Sequence, residues 1–264
     1  MSRSSPITRL RAALHKHGAS GAVRILASRV GQRLFPKPTP THYFDLQHGV
    51  DTSGLLEAGK LRSGHPNDPH ITAYYSTSPS LFRGVIAQWQ RTLAGTPYQL
   101  SDFTLIDIGC GKGRVLMMAS ELPFRRIAGI ELNPTLAAIA SANLTRWNGA
   151  QRLCADVTVH ADDALTTAIL LPASALAAPT LLYLYNPFDE HVMRPLLDRL
   201  IGITRTRSSP IDIIYAHPVH ADLFERTPGM TLLWSGDIPI APEDTAVDVF
   251  HSTGQDVHIY RLAA

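Results

Sequence analysis

Residues 105–116, with the sequence LIDIGCGKGRVL, restrict the possible folds more than any other segment. They begin as an apolar strand that contains Asp107, and glycines follow at Gly109, Gly111 and Gly113. Glycine has no Cβ atom, so the backbone of such a turn can bend sharply and approach a ligand closely. The residues after Gly113 favour a helix, whose first backbone amides point toward the same ligand. A strand, a glycine turn and a helix in this order predict an α/β fold with a binding site at the turn.

Strand-like and helix-like segments alternate from this point to the end of the chain. Residues 181–185, LLYLY, are apolar throughout, which is typical of a strand buried on both faces. Alternation of this kind predicts a doubly wound, mostly parallel sheet with helices on both faces. The predicted strands are 104–108, 126–131, 156–160, 180–185, 212–216, 230–234 and 257–262. The predicted helices are 80–93, 115–122, 135–148, 190–202 and 220–226.

The composition is that of a globular protein. Hydrophobic residues make up 45% and charged residues 17% of the 264 residues, which suits one large α/β domain with an extension. No apolar run is long enough to span a bilayer, and the longest candidate, 173–185, contains Pro179. The two cysteines, Cys110 and Cys154, cannot form a disulfide framework, and no metal-ligand spacing surrounds them. We therefore expect a soluble, cytoplasmic protein without a metal.

The charges divide the chain into two parts. Residues 1–40 carry eight Lys or Arg and no acid, whereas residues 41–264 carry 16 bases and 22 acids. Helical spacing over 7–34 and the proline-rich run 36–40 predict a basic helical arm that ends near position 40. The arm is open to four interpretations: a packed helix, a peripheral membrane contact, a nucleic-acid contact or an organellar transit peptide. The Gly-, Pro-, Ser- and His-rich segment 41–80 is predicted to be an irregular lid.

The turn at Asp107–Gly113 resembles the first motif of class I S-adenosylmethionine-dependent methyltransferases, an acidic residue followed by x-Gly-x-Gly-x-Gly. A dinucleotide fingerprint would need its third glycine at position 114, which is Arg114. The resemblance covers residues 70–264 and implies S-adenosyl-L-methionine as the cofactor. It also implies seven strands in the order 3-2-1-4-5-7-6 with the last strand antiparallel. Asp107 would lie near the methionine end of the cofactor, and Cys110 and the three glycines would line it.

Three acidic residues follow the next two strands. The resemblance places Glu131, with its neighbour Leu132, against the cofactor, where the carboxylate accepts hydrogen bonds from both ribose hydroxyls. NAD-binding proteins use the same contact, and Glu131 is alternatively a solvated acid at a strand end. Asp163, or else Asp162, would contact the adenine amino group, and the other acid would cap a helix.

The residues at the end of the fourth strand, Tyr185-Asn186-Pro187-Phe188, resemble the Asn/Asp-Pro-Pro-Tyr/Phe motif of methyltransferases that modify nitrogen. In that motif the Asn side-chain oxygen and the following carbonyl accept hydrogen bonds from an amine and orient its lone pair. The present sequence has one proline where the motif has two. The alternative is a turn that packs Phe188 under the sheet.

Residues 73–80, AYYSTSPS, precede the helix before the first strand. Related methyltransferases carry a Tyr and a small-residue-Pro-Ser element there that closes over the cofactor, which makes Tyr74, Tyr75 and Ser80 candidates. Ser78 or Ser80 beside Pro79 is also a good helix start. The two roles are compatible.

The sequence therefore predicts an enzyme that transfers a methyl group to an acceptor, with a protein or a small molecule favoured. Such chemistry relies on placing the nucleophile and excluding water, so it needs no Ser-His-Asp set. Nucleic acid is less favoured because the body is acidic and lacks interleaved basic and aromatic residues. His217 and His220 would lie near the acceptor or be ordinary loop histidines. The alternatives are an NAD-dependent oxidoreductase and a non-catalytic binding module.

Overall fold

The computed structural model describes residues 40–147, 152–166, 178–206 and 208–263. The predicted arm lies outside these ranges except for its last residue, Pro40. Every predicted site residue lies inside them. In the part of the chain that is described, no helix is long and apolar enough to cross a membrane.

The chain first forms helix α1 (Tyr43–His48) and strands β1 (Leu55–Leu56) and β2 (Tyr74–Tyr75), which pair with each other antiparallel. Helix α2 (Pro79–Thr92) then leads into the main sheet. The strands of that sheet are β3 (Thr104–Ile108), β4 (Arg126–Glu131), β5 (Val157–Ala161), β6 (Thr180–Tyr185), β7 (Ile211–Ala216), β8 (Met230–Pro239) and β9 (Gly254–Leu262). The remaining helices are α3 (Arg114–Ser120), α4 (Pro134–Arg146), α5 (Glu190–Thr204), α6 (Ala221–Glu225) and α7 (Pro242–Val247).

The seven strands of the main sheet lie in the order β5-β4-β3-β6-β7-β9-β8. β5, β4, β3, β6 and β7 pair in parallel with one another, and β9 is antiparallel to both β7 and β8. Counting only these strands along the chain, the order is 3-2-1-4-5-7-6. The prediction of a doubly wound, mostly parallel sheet with an antiparallel last strand is confirmed.

Side chains of β3 alternate between two hydrophobic cores. Leu105 packs in the core that contains Trp89 of α2 and Leu116 of α3. Ile106 packs in the core that contains Leu196 of α5. Full burial of one such side chain stabilises the fold by about 1.5–3 kcal/mol. Because helices cover both faces, the carboxyl edge of the parallel strands is the place where this fold holds a ligand.

Two segments differ from their predicted form. Residues 41–80 are not simply irregular: α1 ends at Gly49, which has a φ of 65°, and β1 and β2 follow. Six- and two-residue elements are too short to produce a detectable hydrophobic period. β8 runs on to Pro239 instead of ending at 234, and helix α7 lies in the connection between β8 and β9, where no helix was predicted.

Candidate functional site

A cleft lies at the carboxyl edge of β3, β4 and β6 and encloses about 950 Å³ up to its open mouth. The predicted site residues that line it are Tyr75, Asp107, Gly109, Cys110, Glu131, Leu132, Asp162, Asp163, Tyr185, Pro187 and Phe188, together with Tyr74. Ser80, Gly111, Gly113 and Asn186 do not line it. The structure thus brings most of the predicted set together at one edge of the sheet.

The glycine turn is packed against three other segments. Gly109, Gly111 and Gly113 have φ values of 77°, 53° and 83°, which residues other than glycine rarely adopt. A Cβ atom on Gly109 would lie 2.8 Å from Cβ of Pro187, and one on Gly113 would lie 3.0 Å from Cβ of Ala140. The turn therefore needs glycine both for its backbone conformation and for these close approaches.

Gly111→Ala is expected to lower the free energy of unfolding by about 2–4 kcal/mol. The added Cβ would lie 2.3 Å from Cε2 of the half-buried Tyr74 ring, in addition to the strain of a φ of 53°. Gly202→Ala in α5 is the matched control, since no atom lies within 4 Å of its Cβ position. The control should be stabilised by up to about 1 kcal/mol because alanine favours a helix. Urea unfolding measures both, and equal effects for the two variants would contradict this packing.

Asp107 is a buried carboxylate without a hydrogen-bond partner among the described residues. It is 3% exposed, lies at the end of β3 and lines the cleft. Burial, and then the negative charge of Glu131, raise the pKa of Asp107 well above its ordinary value. An unpaired buried carboxylate is unfavourable by itself and gains stability from a cationic partner. A positive group bound at this point of the cleft would stabilise the ionised form of Asp107.

Glu131, at the end of β4, closes the glycine turn. Its two carboxylate oxygens accept hydrogen bonds from the backbone N–H groups of Gly111 (2.8 Å) and Asn133 (2.9 Å). Burial raises the pKa of Glu131, and these two hydrogen bonds oppose the increase. Each oxygen keeps a free lone pair, so Glu131 can hold the turn and still accept hydrogen bonds from a ligand in the cleft. The alternative of a solvated acid does not describe this side chain, which is 8% exposed.

Asp162 and Asp163 follow β5, and their carboxylates differ in the hydrogen bonds that they accept. Asp163 accepts a hydrogen bond from the backbone N–H of Leu165 (2.8 Å) and another from the side-chain amide of Asn67 (2.6 Å). Asp162 accepts one from the backbone N–H of Asp163 (2.7 Å). Asp163 thus connects the loop after β5 to the segment around Asn67. The carboxylate of Asp162 accepts fewer hydrogen bonds from the protein and also lines the cleft.

The lid segment, residues 41–80, crosses the end of β6 and donates hydrogen bonds to the backbone carbonyls that follow this strand. Thr72 donates its backbone N–H to the carbonyl of Pro187 (3.1 Å) and its hydroxyl to the carbonyl of Asn186 (2.7 Å). The side-chain oxygen of Asn186 lies 3.5 Å from the hydroxyl of Tyr215, outside the cleft. Phe188 is buried in the core beside α5. In this arrangement the groups predicted to orient an amine are engaged by the protein itself, while Pro187 and Phe188 form part of the cleft wall.

The residues predicted before α2 separate into two groups. Tyr75 lines the cleft and donates its hydroxyl to Asp248. Ser80 instead donates its backbone N–H to Asp244 (2.7 Å) and accepts a hydrogen bond from the backbone of Ala241 (3.0 Å). Ser78 takes the N-cap position without a capping hydrogen bond. Ser80 therefore ties α2 to the segment around α7, away from the cleft.

The sequence analysis missed the contacts that attach the lid segment to the glycine turn. Arg114, 4% exposed, donates to the hydroxyl of Thr52 (2.7 Å) and forms an ion pair with Asp45 (3.5 Å). Burial alone would raise the pKa of Asp45, but the hydrogen bonds that it accepts bring the pKa below its ordinary value. Lys112 binds Asp51 at 2.7 Å. The signal available in the sequence was two basic residues within a glycine turn, and it did not reveal their partners.

Comparison with known proteins gives short matches to methyltransferases. A 48-residue segment is 48% identical to the release factor glutamine methyltransferase of Vibrio cholerae and covers 18% of this chain and 17% of that protein. A 116-residue segment is 29% identical to the ribosomal protein L11 methyltransferase of Colwellia psychrerythraea, with 44% and 39% covered. The chain thus matches well under half the length of these relatives. No protein-family model matches it.

Among solved structures, the N-methyltransferase NodS from Bradyrhizobium japonicum is 13% identical, with a TM-score of 0.44 over 71% of this chain and all of that one. An RNA methyltransferase from Salinibacter ruber in complex with S-adenosyl-L-homocysteine is 17% identical. Its TM-score is 0.42, over 72% of this chain and 94% of that one.

The strand order of the sheet and the Asp-x-Gly-x-Gly-x-Gly turn after its central strand occur here together. These two features are those of the class I methyltransferase fold. In this class I fold the central strand β3 carries the turn, and the cleft opens at its carboxyl edge. The buried acids of the cleft belong to β3 and to the neighbouring strand β4.

Proposed function

We propose that this protein is a methyltransferase that binds S-adenosyl-L-methionine in the cleft and transfers its methyl group to a nucleophile. The observation that carries the proposal is the unpaired, buried carboxylate of Asp107 beside the glycine turn. A sulfonium cofactor with an amino-acid end brings an ammonium group, which is the partner that Asp107 lacks. Glu131 stands on the next strand, where a ribose would be held.

The residues present fit this cofactor along the whole cleft. Asp107 would bind the ammonium group, and Glu131 would accept hydrogen bonds from the ribose hydroxyls. Asp162, whose carboxylate is less occupied than that of Asp163, would accept a hydrogen bond from the adenine amino group. The apolar side chain of Leu132 lines the same cleft and offers contact to a planar base.

When bound, the cofactor supplies a methyl group already activated by a positively charged sulfur. The protein's own contribution is then placement and exclusion of water. Thr72 holds the lid against the carbonyls of Asn186 and Pro187, which covers the end of β6. Tyr185 and Pro187 line the same part of the cleft and would position the acceptor.

The acceptor in this proposal is an amine of a protein or a small molecule. One of the two sequence relatives is a release factor glutamine methyltransferase and the other a ribosomal protein L11 methyltransferase, so both are named for protein acceptors. Four acids line the cleft, namely Asp107, Glu131, Asp162 and Asp163, which disfavours a polyanionic acceptor such as nucleic acid. We place the enzyme in the cytoplasm because both of its cysteines are free and buried, as is usual in reducing compartments.

The test is formation of S-adenosylhomocysteine from S-adenosylmethionine, measured by mass spectrometry. The purified protein is incubated with a cell extract separated into a protein fraction and a small-molecule fraction, and Asp107→Asn serves as the impaired comparison. Product formed with one fraction, and reduced in the variant, supports the proposal and selects the acceptor class. No product with either fraction, while the cofactor still binds, would favour the non-catalytic binding module.

A further inference from the structure

Three aromatic rings lie together where Tyr185, the last residue of β6, borders the cleft. The ring of Tyr75 meets that of Tyr185 at a centroid distance of 6.2 Å and that of Phe250 at 5.3 Å, with interplanar angles of 65° and 70°. Tyr75 and Tyr185 line the cleft, and Phe250, in the loop before β9, is 61% exposed. The rings of Tyr185 and Phe250 are both steeply inclined to the ring of Tyr75. The three residues therefore present ring faces in more than one direction. We call these three residues the aromatic group.

The buried carboxylate of Asp248 accepts hydrogen bonds from the aromatic group and from the loop that carries Phe250. Asp248 is 8% exposed and accepts hydrogen bonds from the hydroxyl of Tyr75 and from the backbone N–H groups of Phe250 (2.9 Å) and Ser252 (2.8 Å). Burial, and then the hydrogen bond to Asp248, raise the pKa of Tyr75, so its phenol stays uncharged. The negative charge beside the rings strengthens their attraction for a cation.

The cleft offers little to a negatively charged acceptor. Among the described residues that line it, Arg114 is the one basic side chain, and its guanidinium is engaged by Asp45 and Thr52. A carboxylate or phosphate acceptor would meet several acids and no free base. The carbonyls of Asn186 and Pro187 each already accept one hydrogen bond from Thr72, and the side chain of Asn186 lies outside the cleft, so the motif offers an amine fewer acceptors than its pattern implies.

We propose, building on the function proposed above, that the aromatic group of Tyr75, Tyr185 and Phe250 binds the acceptor through an alkylammonium group. Cations are attracted to the faces of aromatic rings, and quaternary and methylated ammonium groups are recognised in this way. Before transfer the nitrogen releases one proton to solvent. Its lone pair then forms the N–C bond while the electron pair of the broken C–S bond stays on sulfur.

The experiment uses tetramethylammonium chloride as the probe and tert-butanol, an uncharged molecule of similar shape, as its comparison. S-adenosylhomocysteine is titrated first by calorimetry, and the saturated protein then receives each probe at constant ionic strength. Saturation keeps the probe away from Asp107. The variants are Tyr185→Leu and Phe250→Leu, which keep apolar volume and remove the ring, and the control is Leu232→Ala, an exposed residue of β8.

Tetramethylammonium should bind at least about tenfold more tightly than tert-butanol, and each ring variant should weaken it about tenfold. The control should bind it like the wild type. Phe250 is exposed, so its variant keeps the test decisive if Tyr185→Leu does not fold. If S-adenosylhomocysteine binds but the two probes bind equally, or Phe250→Leu has no effect, the aromatic site is overturned and the proposed function stands. If S-adenosylhomocysteine itself does not bind, the proposed function fails, and the same probe titration on the free protein decides the aromatic site.

Discussion

Asp107→Asn is expected to make the protein more stable and, at the same time, to weaken its binding of S-adenosylmethionine about 10- to 100-fold. The two effects have one cause, the unpaired buried carboxylate at the end of β3. Because the pKa of Asp107 in the folded protein is raised, ionising the group opposes folding. This penalty is absent below the ordinary carboxyl pKa and grows as the pH rises toward the raised value. Asparagine removes it, which should raise the free energy of unfolding at neutral pH by about 1–3 kcal/mol.

The affinity of the wild type should follow the same titration. A cationic ligand binds the ionised carboxylate, so affinity should rise with pH across the raised pKa of Asp107, and the variant should lose this dependence. Urea unfolding and calorimetric titration at several pH values give the two quantities. Asp198→Asn, an exposed change on α5, is the control and should alter neither. A variant that binds the cofactor as tightly as the wild type would show that Asp107 is not the cation site.

Asp212→Asn is expected to lower the free energy of unfolding by about 3–5 kcal/mol. Asp212, on β7, is fully buried and receives Nε and Nη2 of Arg261 on β9 at 2.7 and 2.8 Å, and Nε1 of Trp89 on α2 at 2.9 Å. An amide cannot accept from all three donors and leaves the Arg261 charge without its carboxylate. The residue thus joins the antiparallel strand and a covering helix to the parallel part of the sheet.

The control for this prediction is Asp222→Asn on α6. Asp222 also pairs with an arginine, Arg226, but both side chains are exposed. Exposed ion pairs contribute about 0–1 kcal/mol, so the control should change stability little. Urea unfolding measures both variants. A loss at Asp212 no larger than that at Asp222 would contradict the role assigned to the buried pair.

The sequence predicted those features that depend on local patterns. The bounds of β3, β4 and β6 agree with prediction because each is a short apolar run between clear breaks. The glycine turn and Glu131 were predicted as site residues because they can be recognised from their spacing along the chain and their positions after predicted strands. The strand order and the antiparallel β9 came from the family resemblance rather than from any property of a single segment.

Features that depend on distant contacts were not predictable in this way. Arg114 binds Thr52, 62 positions earlier, and Thr72 reaches Asn186, 114 positions later. Thr72 also donates its backbone N–H to the carbonyl of Pro187, one of the acceptors that the Tyr185-Asn186-Pro187-Phe188 motif would use, and this changes the interpretation of the motif. Phe250 joins the site only because the loop before β9 folds back onto Tyr75. No local hydrophobic period along the sequence marks any of these three contacts.

The central claim is that the cleft binds S-adenosylmethionine, and calorimetric titration of the purified protein tests it most directly. S-adenosylmethionine and S-adenosylhomocysteine should both bind at one site per chain, whereas NAD should not bind. The adenosyl ligands share the ammonium that Asp107 needs and the ribose that Glu131 needs, and NAD supplies only the ribose. Binding of NAD, with no binding of either adenosyl ligand, would contradict this claim and would support the alternative hypothesis of an NAD-dependent oxidoreductase.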